Sequence, residues 1–257
     1  MTLNKAQIAA NELLNSLGWS KPGDLNLNEI AFASNAYVKE CDLEGSEGRI
    51  LMNGDNAIIS IDSKVGFESR KKFILAHEIG HLTLHKGLSK LFSDTDKTLN
   101  EWYAKGKHEI EANQFASELL MPSDLFKLRV NGNGMSLDLI RDTADYFGTS
   151  QTATLLKYKD LGDFPISIIY LEKGIVKWKT ESLDFPLKFL PNGSKVPEGS
   201  AAGDFFNGQR LENKPVLVDA LDWFPEDFEI EDYLTAELYE HDFRIGANGL
   251  LCCLWTL

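Results

Sequence analysis

Apolar residues recur at helical spacing over residues 4–17, where Ile8, Leu13, Leu14 and Leu17 are the apolar positions, and the pattern breaks at Pro22 and Gly23. A short second helix is predicted over Leu27–Ala33. Strand-like runs follow at Ala36–Lys39, Arg49–Met52 and Ala57–Asp62, and the turn residues Asn53-Gly54-Asp55-Asn56 join the last two as a hairpin. Residues 68–86 carry a long helical pattern that ends at Gly87. Residues 88–106 are polar and loop-like. A second strong helix is expected over Lys107–Leu120, stopping before Pro122, and two or three more fit residues 123–160. Beyond Pro165 the texture changes. Ile166–Leu171 and Ile175–Thr180 read as strands around a Lys173-Gly174 turn, and Pro215–Ala220 and Leu250–Leu257 are apolar and strand-like.

The pattern predicts an α+β protein in two parts. Residues 1–162 form a helical core with a small antiparallel sheet, including a helical subdomain at 122–162. Residues 163–257 form a separate strand-rich α+β domain whose role, docking or sensing, is open. A chain of 257 residues accommodates both. Its 39 acidic residues outnumber 26 basic ones, for a net charge of −13. Such a balance repels phosphate backbones and anionic headgroups, so neither nucleic acid nor membrane is the expected partner. Residues 165–257 hold 16 acidic against 8 basic residues, which suits a module with its own surface. No stretch approaches the roughly 20 apolar residues that span a bilayer, and the first residues lack a signal-type apolar run. Cys41, Cys252 and Cys253 make a poor disulfide framework; the adjacent pair reads as buried thiols in a strand, and a cytoplasmic setting is expected. The oligomeric state is not legible.

The chemistry is concentrated in His77-Glu78-Ile79-Gly80-His81. Histidines four apart lie one above the other on a helix face, so both imidazoles can reach one metal ion. Glu78, next to the first histidine, is placed to take a proton from the attacking water. The flanks Phe73, Ile74, Leu75, Ala76, Ile79 and Leu82 predict a buried helix, in which polar side chains need partners. His85, one turn further, reads as structural or solvent-facing. A third ligand is expected from the next strong helix, where Glu109 precedes Asn113 by one turn. That spacing allows Glu109 to bind metal while Asn113 fixes the orientation of a ligand. His108 is a rival, about 100° round the helix from Glu109. Glu111 falls on a different stripe, expected to be an ordinary solvated face. Residues 139–162 have the cadence of a helix-turn-helix, but Arg141, Lys157 and Lys159 face four aspartates in residues 136–162, whereas a DNA reader is basic.

The segment from Arg70 to His85, with His77-Glu78-Ile79-Gly80-His81 at its centre, together with Glu109-Ile110-Glu111-Ala112-Asn113-Gln114-Phe115-Ala116, resembles the ImmA/IrrE family of metallo-endopeptidases. The resemblance implies a zincin-like fold, zinc on His77, His81 and Glu109, and Glu78 as catalytic base. It also implies a protein substrate, a transcriptional repressor of the helix-turn-helix type, cut in a stress, prophage or mobile-element response. The strand at Ala57, Ile58, Ile59 and Ser60 is a candidate edge for pairing with an extended substrate. Tyr103 and His108 are candidates for stabilising the oxyanion. Two other readings compete: a metal-binding regulator that sequesters a repressor without turnover, and a DNA-binding regulator using residues 139–162.

Overall fold

The computed structural model describes residues 3–86, 91–94, 106–211, 214–245 and 249–256, with only the backbone for 91–94. Gly87 and most of the polar stretch 88–106 lie outside these residues, as does Leu257. By contact the chain divides into two compact units. The first comprises residues 1–129 and 142–153; the second comprises 130–141 and 154–257.

The first unit opens with α1 (Lys5–Ser16) and α2 (Leu27–Ala33). Each begins at an asparagine, Asn4 or Asn26, whose side chain accepts from the backbone three residues on. Gln7 and Glu29 return the contact, completing capping boxes that fix both starts. Strands β1 (Ala36–Cys41), β2 (Gly48–Asn53) and β3 (Asn56–Asp62) follow, then α3 (Glu68–Leu84), β4 (Leu91–Asp94) and α4 (Lys107–Leu120). The β2–β3 hairpin turns at Gly54, whose φ of 62° favours glycine. The sheet order is β1-β3-β2-β4. It is mixed and not purely antiparallel, because β1 runs parallel to β3. Its interior position corrects the edge-strand expectation. β3 is bonded on both sides, by β1 and by β2, so Ala57, Ile58, Ile59 and Ser60 have no open backbone edge for a substrate.

Helix α3 packs on β2 and β3 and against α1 and α4, around Ile50, Ile59, Ile74, Ile79 and Phe115. Buried Glu118 ties α4 to its neighbours: it accepts from Asn11 Nδ2 of α1 and from the backbone N–H and hydroxyl of Ser123. Ser123 opens α5 (Ser123–Val130), which is followed by α6 (Leu137–Phe147) and α7 (Gln151–Leu161). In α7, Lys157 is buried and so not displayed as a DNA-facing cation.

The second unit carries a five-stranded antiparallel sheet, ordered β6-β5-β9-β8-β7. Its strands are β5 (Ile166–Glu172), β6 (Ile175–Glu181), β7 (Val216–Asp219), β8 (Glu237–Ile245) and β9 (Gly249–Thr256). The β5–β6 turn places Lys173 and Gly174 at φ of 53° and 74°, the conformation a two-residue hairpin requires. Central β9 is buried along nearly its whole length, with Cys252 and Cys253 as free buried thiols. Short helices α8 (Ala201–Phe206) and α9 (Ala220–Trp223) contribute Ala202, Ala220 and Trp223 to a core with Phe185 and Phe224. No helix among the described residues is long and apolar enough to cross a membrane.

Candidate metal centre

Helices α3 and α4 approach closely because of one glycine. A Cβ at Gly80 would lie 3.1 Å from Phe115 Cδ1 and 3.2 Å from both Cα and O of Ala112. With no side chain there, the first turns of α4 come over the histidine face of α3. His77, Glu78 and His81 are fully buried.

The Nε2 atoms of His77 and His81 are 2.9 Å apart. Glu109 Oε2 is 3.3 Å from His77 Nε2, and Oε1 is 3.5 Å from His81 Nε2. The three residues thus bring one donor atom each into a common cluster. Asn113 Oδ1 lies 2.9 Å from His77 Nδ1. An amide oxygen only accepts, so the proton sits on Nδ1 and Nε2 presents its lone pair to the cluster. Burial pushes the Glu109 carboxyl upward, but its contacts with His77 and His81 outweigh that and hold it below the ordinary carboxylate range. The donor set of two imidazoles and one ionised carboxylate suits a divalent metal. The spacing suits it too. Ligands at about 2.0–2.1 Å in a tetrahedral arrangement lie about 3.3 Å from one another.

Glu78 follows His77 on α3, and its carboxylate rests against β2. A Cβ at Gly48 would fall 2.7 Å from Glu78 Oε1 and 2.5 Å from Ile74 Cγ2, so only glycine leaves room.

Glu111 departs from the expected solvated face, and of the two readings of His85 the structure shows the structural one. His85 is buried, with Nδ1 3.1 Å from His81 Nδ1 and Nε2 2.9 Å from Glu111 Oε2. Burial lowers the His85 pKa, opposed by the Glu111 contact. The same contact holds Glu111 below its ordinary value. Glu111 is therefore not a plain solvated face; its side chain is only 19 % exposed and anchors His85. Histidines at 77, 81 and 85 share one helix face by spacing alone, and that was the signal available. His108 is exposed and sits edge-on to His85, ring centroids 4.6 Å apart, outside the three-donor cluster. Tyr103 lies outside the described residues.

A second group of possible donors, Glu240, Asp242 and Cys252, occurs in the other unit. Its chemistry is that of a closed core. Glu240 accepts from Ala202 N–H and Trp223 Nε1, both at 2.7 Å. Burial and the neighbouring Glu240 raise the Asp242 carboxyl well above its ordinary value, and burial raises the Cys252 thiol.

Comparison with known proteins places these features. The family model for the IrrE N-terminal-like domain matches residues 33–158, which include both helices of the cluster. The chain is 30% identical over 148 residues to a Bacillus subtilis (strain 168) protein named Metallopeptidase ImmA, spanning 55% of this chain and 80% of that one. It is 37% identical over 67 residues to a Bacillus phage phi105 protein named uncharacterized immunity region protein 2, spanning 26% of this chain and 39% of that one. Among solved structures, a Mycobacterium tuberculosis transcriptional regulator shares the fold with a TM-score of 0.59 at 11% identity, over 99% of this chain and 77% of that one.

Proposed function

The chain belongs to the ImmA/IrrE family of metallo-endopeptidases, and from that premise we propose that it hydrolyses a peptide bond in a transcriptional repressor, with zinc held by His77, His81 and Glu109. The observation that carries this reading is the convergence of those three donors, with Glu78 next to His77 in sequence and buried. A zinc ion held by these residues would supply Lewis acidity toward water and the scissile carbonyl oxygen. The protein does the rest. Glu78 takes the proton of the attacking water and delivers it to the leaving amine nitrogen. Its buried setting against Gly48 holds the carboxylate in one place, so the proton is received without side-chain reorganisation. Asn113 keeps the His77 proton on Nδ1 and thereby turns Nε2 inward. Glu109 brings the one formal negative charge among the three donors.

The substrate we propose is a small helix-turn-helix repressor, recognised as a folded protein. Support comes from the family and from the immunity-region name that the phage relative bears. The acidic residues 163–257 supply a docking surface in this reading, and the cytoplasm is the setting. The test is incubation of the zinc-loaded protein with the helix-turn-helix repressor encoded nearest its gene, read by intact-mass spectrometry. Wild type is expected to give one defined cut and to leave casein largely intact. Rapid unselective digestion of casein would overturn the proposal, as would a stable complex with the repressor and no cleavage under zinc-replete conditions.

A further inference from the structure

We propose that Glu111 and His85 form a hydrogen-bonded relay that sets the tautomer and the aim of His81, making them positioning residues for the metal centre. The proposal rests on the three-donor reading above and extends it to two residues outside the donor set. The Glu111 carboxylate can only accept, so His85 Nε2, 2.9 Å away, carries a proton. A neutral imidazole has one N–H, so His85 Nδ1 is then an acceptor. His81 Nδ1, 3.1 Å from it, must be the donor. The His81 proton therefore sits on Nδ1, and Nε2 presents a lone pair toward His77 Nε2 and Glu109 Oε1.

The two histidine donors are thus aimed by the same helix through different means. Asn113 of α4 fixes His77 directly, and Glu111 of the same helix fixes His81 through His85. The relay follows from the helix period: His81 and His85 are one turn apart on α3, and His85 is the residue at which that helix ends. Lys107, one turn before Glu111, lies 3.7 Å from its other carboxylate oxygen.

The test needs two readouts. Long-range proton–nitrogen spectra of the ¹⁵N-labelled, zinc-loaded full chain report the tautomers directly. The expected pattern is Nδ1–H on His81 and Nε2–H on His85. Zinc affinity, measured by chelator competition, reports the consequence. Glu111→Ala and His85→Phe are expected to weaken zinc binding by about 10- to 100-fold, the usual effect of removing a ligand's hydrogen-bond partner. Glu111→Gln keeps an oxygen acceptor and is expected to stay within a few-fold of wild type. Wild-type His85 protonated on Nδ1 would overturn the relay, as would Glu111→Ala binding zinc as tightly as wild type. A wild-type protein that takes up no zinc at all would instead refute the metal centre.

Discussion

Gly48→Ala tests the placement of Glu78 without touching any proposed ligand. Gly48 is not in the left-handed region, so alanine introduces no backbone strain and acts through its methyl group alone. That methyl would lie 2.5 Å from Ile74 Cγ2 and 2.7 Å from Glu78 Oε1, where 3.4 Å is ordinary contact, so gaps of about 0.9 and 0.7 Å must open. Ile74 is β-branched, on a helix and buried, so it yields little. The Glu78 carboxylate, at the end of a flexible side chain, moves more readily. Overpacking of this kind costs about 1–3 kcal/mol of stability. Displacing a catalytic group by about 1 Å costs roughly 100-fold in rate. The expected result is a folded protein with a modestly lowered Tm, near wild-type zinc affinity, and kcat for repressor cleavage down by about two orders of magnitude. The assays are thermal melting, chelator competition and single-turnover cleavage. A variant that cleaves at the wild-type rate would show that the Glu78 carboxylate does not act from its place against β2.

Two further outcomes follow from the same structure. Glu78→Gln preserves shape but cannot accept a proton, so zinc affinity and Tm should persist while cleavage falls by about 100- to 10,000-fold; near wild-type cleavage would remove Glu78 from the role of base. Asp242→Asn should stabilise the protein at neutral and higher pH. Burial first, and Glu240 second, raise the Asp242 pKa in the folded state, so its contribution to stability is full below the unfolded value of about 3.9 and is lost as pH rises. The variant's Tm advantage over wild type should therefore grow from pH 5 to pH 8. Buried His241, lowered to about 4 by burial, acts in the opposite sense, losing stability as pH falls below about 6.5, so the comparison is cleanest above pH 7. An Asp242→Asn protein that melts below wild type at pH 8 would contradict the reading.

The elements most visible in the sequence were those whose local signals agreed. The Asn53-Gly54-Asp55-Asn56 and Lys173-Gly174 turn signals mark strand ends where the structure also turns the chain. Strand β8 was not legible. Its sequence, ELYEHDFRI, places Glu240, His241 and Asp242 where a buried strand normally carries apolar residues, and their burial depends on partners distant in sequence, Ala202 and Trp223. The position of β3 was invisible for a related reason: strand order depends on β1 and β4, which local periodicity does not report. At the site, the phase of α4 puts Glu109 and Glu111 on different stripes, and in the structure Glu109 lies by His77 and His81 while Glu111 lies by His85. The phase of one helix carries no information about its neighbour, so the bond from Glu111 to His85 emerged only once α3 and α4 were packed at Gly80.

The central claim is that His77, His81 and Glu109 together hold one catalytic metal ion. Its most direct test is zinc stoichiometry and affinity for wild type and for His77→Ala, His81→Ala and Glu109→Ala, each prepared metal-free and titrated against a chromophoric chelator. The account predicts one tightly bound zinc per wild-type chain, with each replacement reducing affinity by orders of magnitude while the fold, checked by circular dichroism, is retained. A folded wild-type protein that ignores added zinc would contradict it, and so would a Glu109→Ala protein that binds zinc as tightly as wild type.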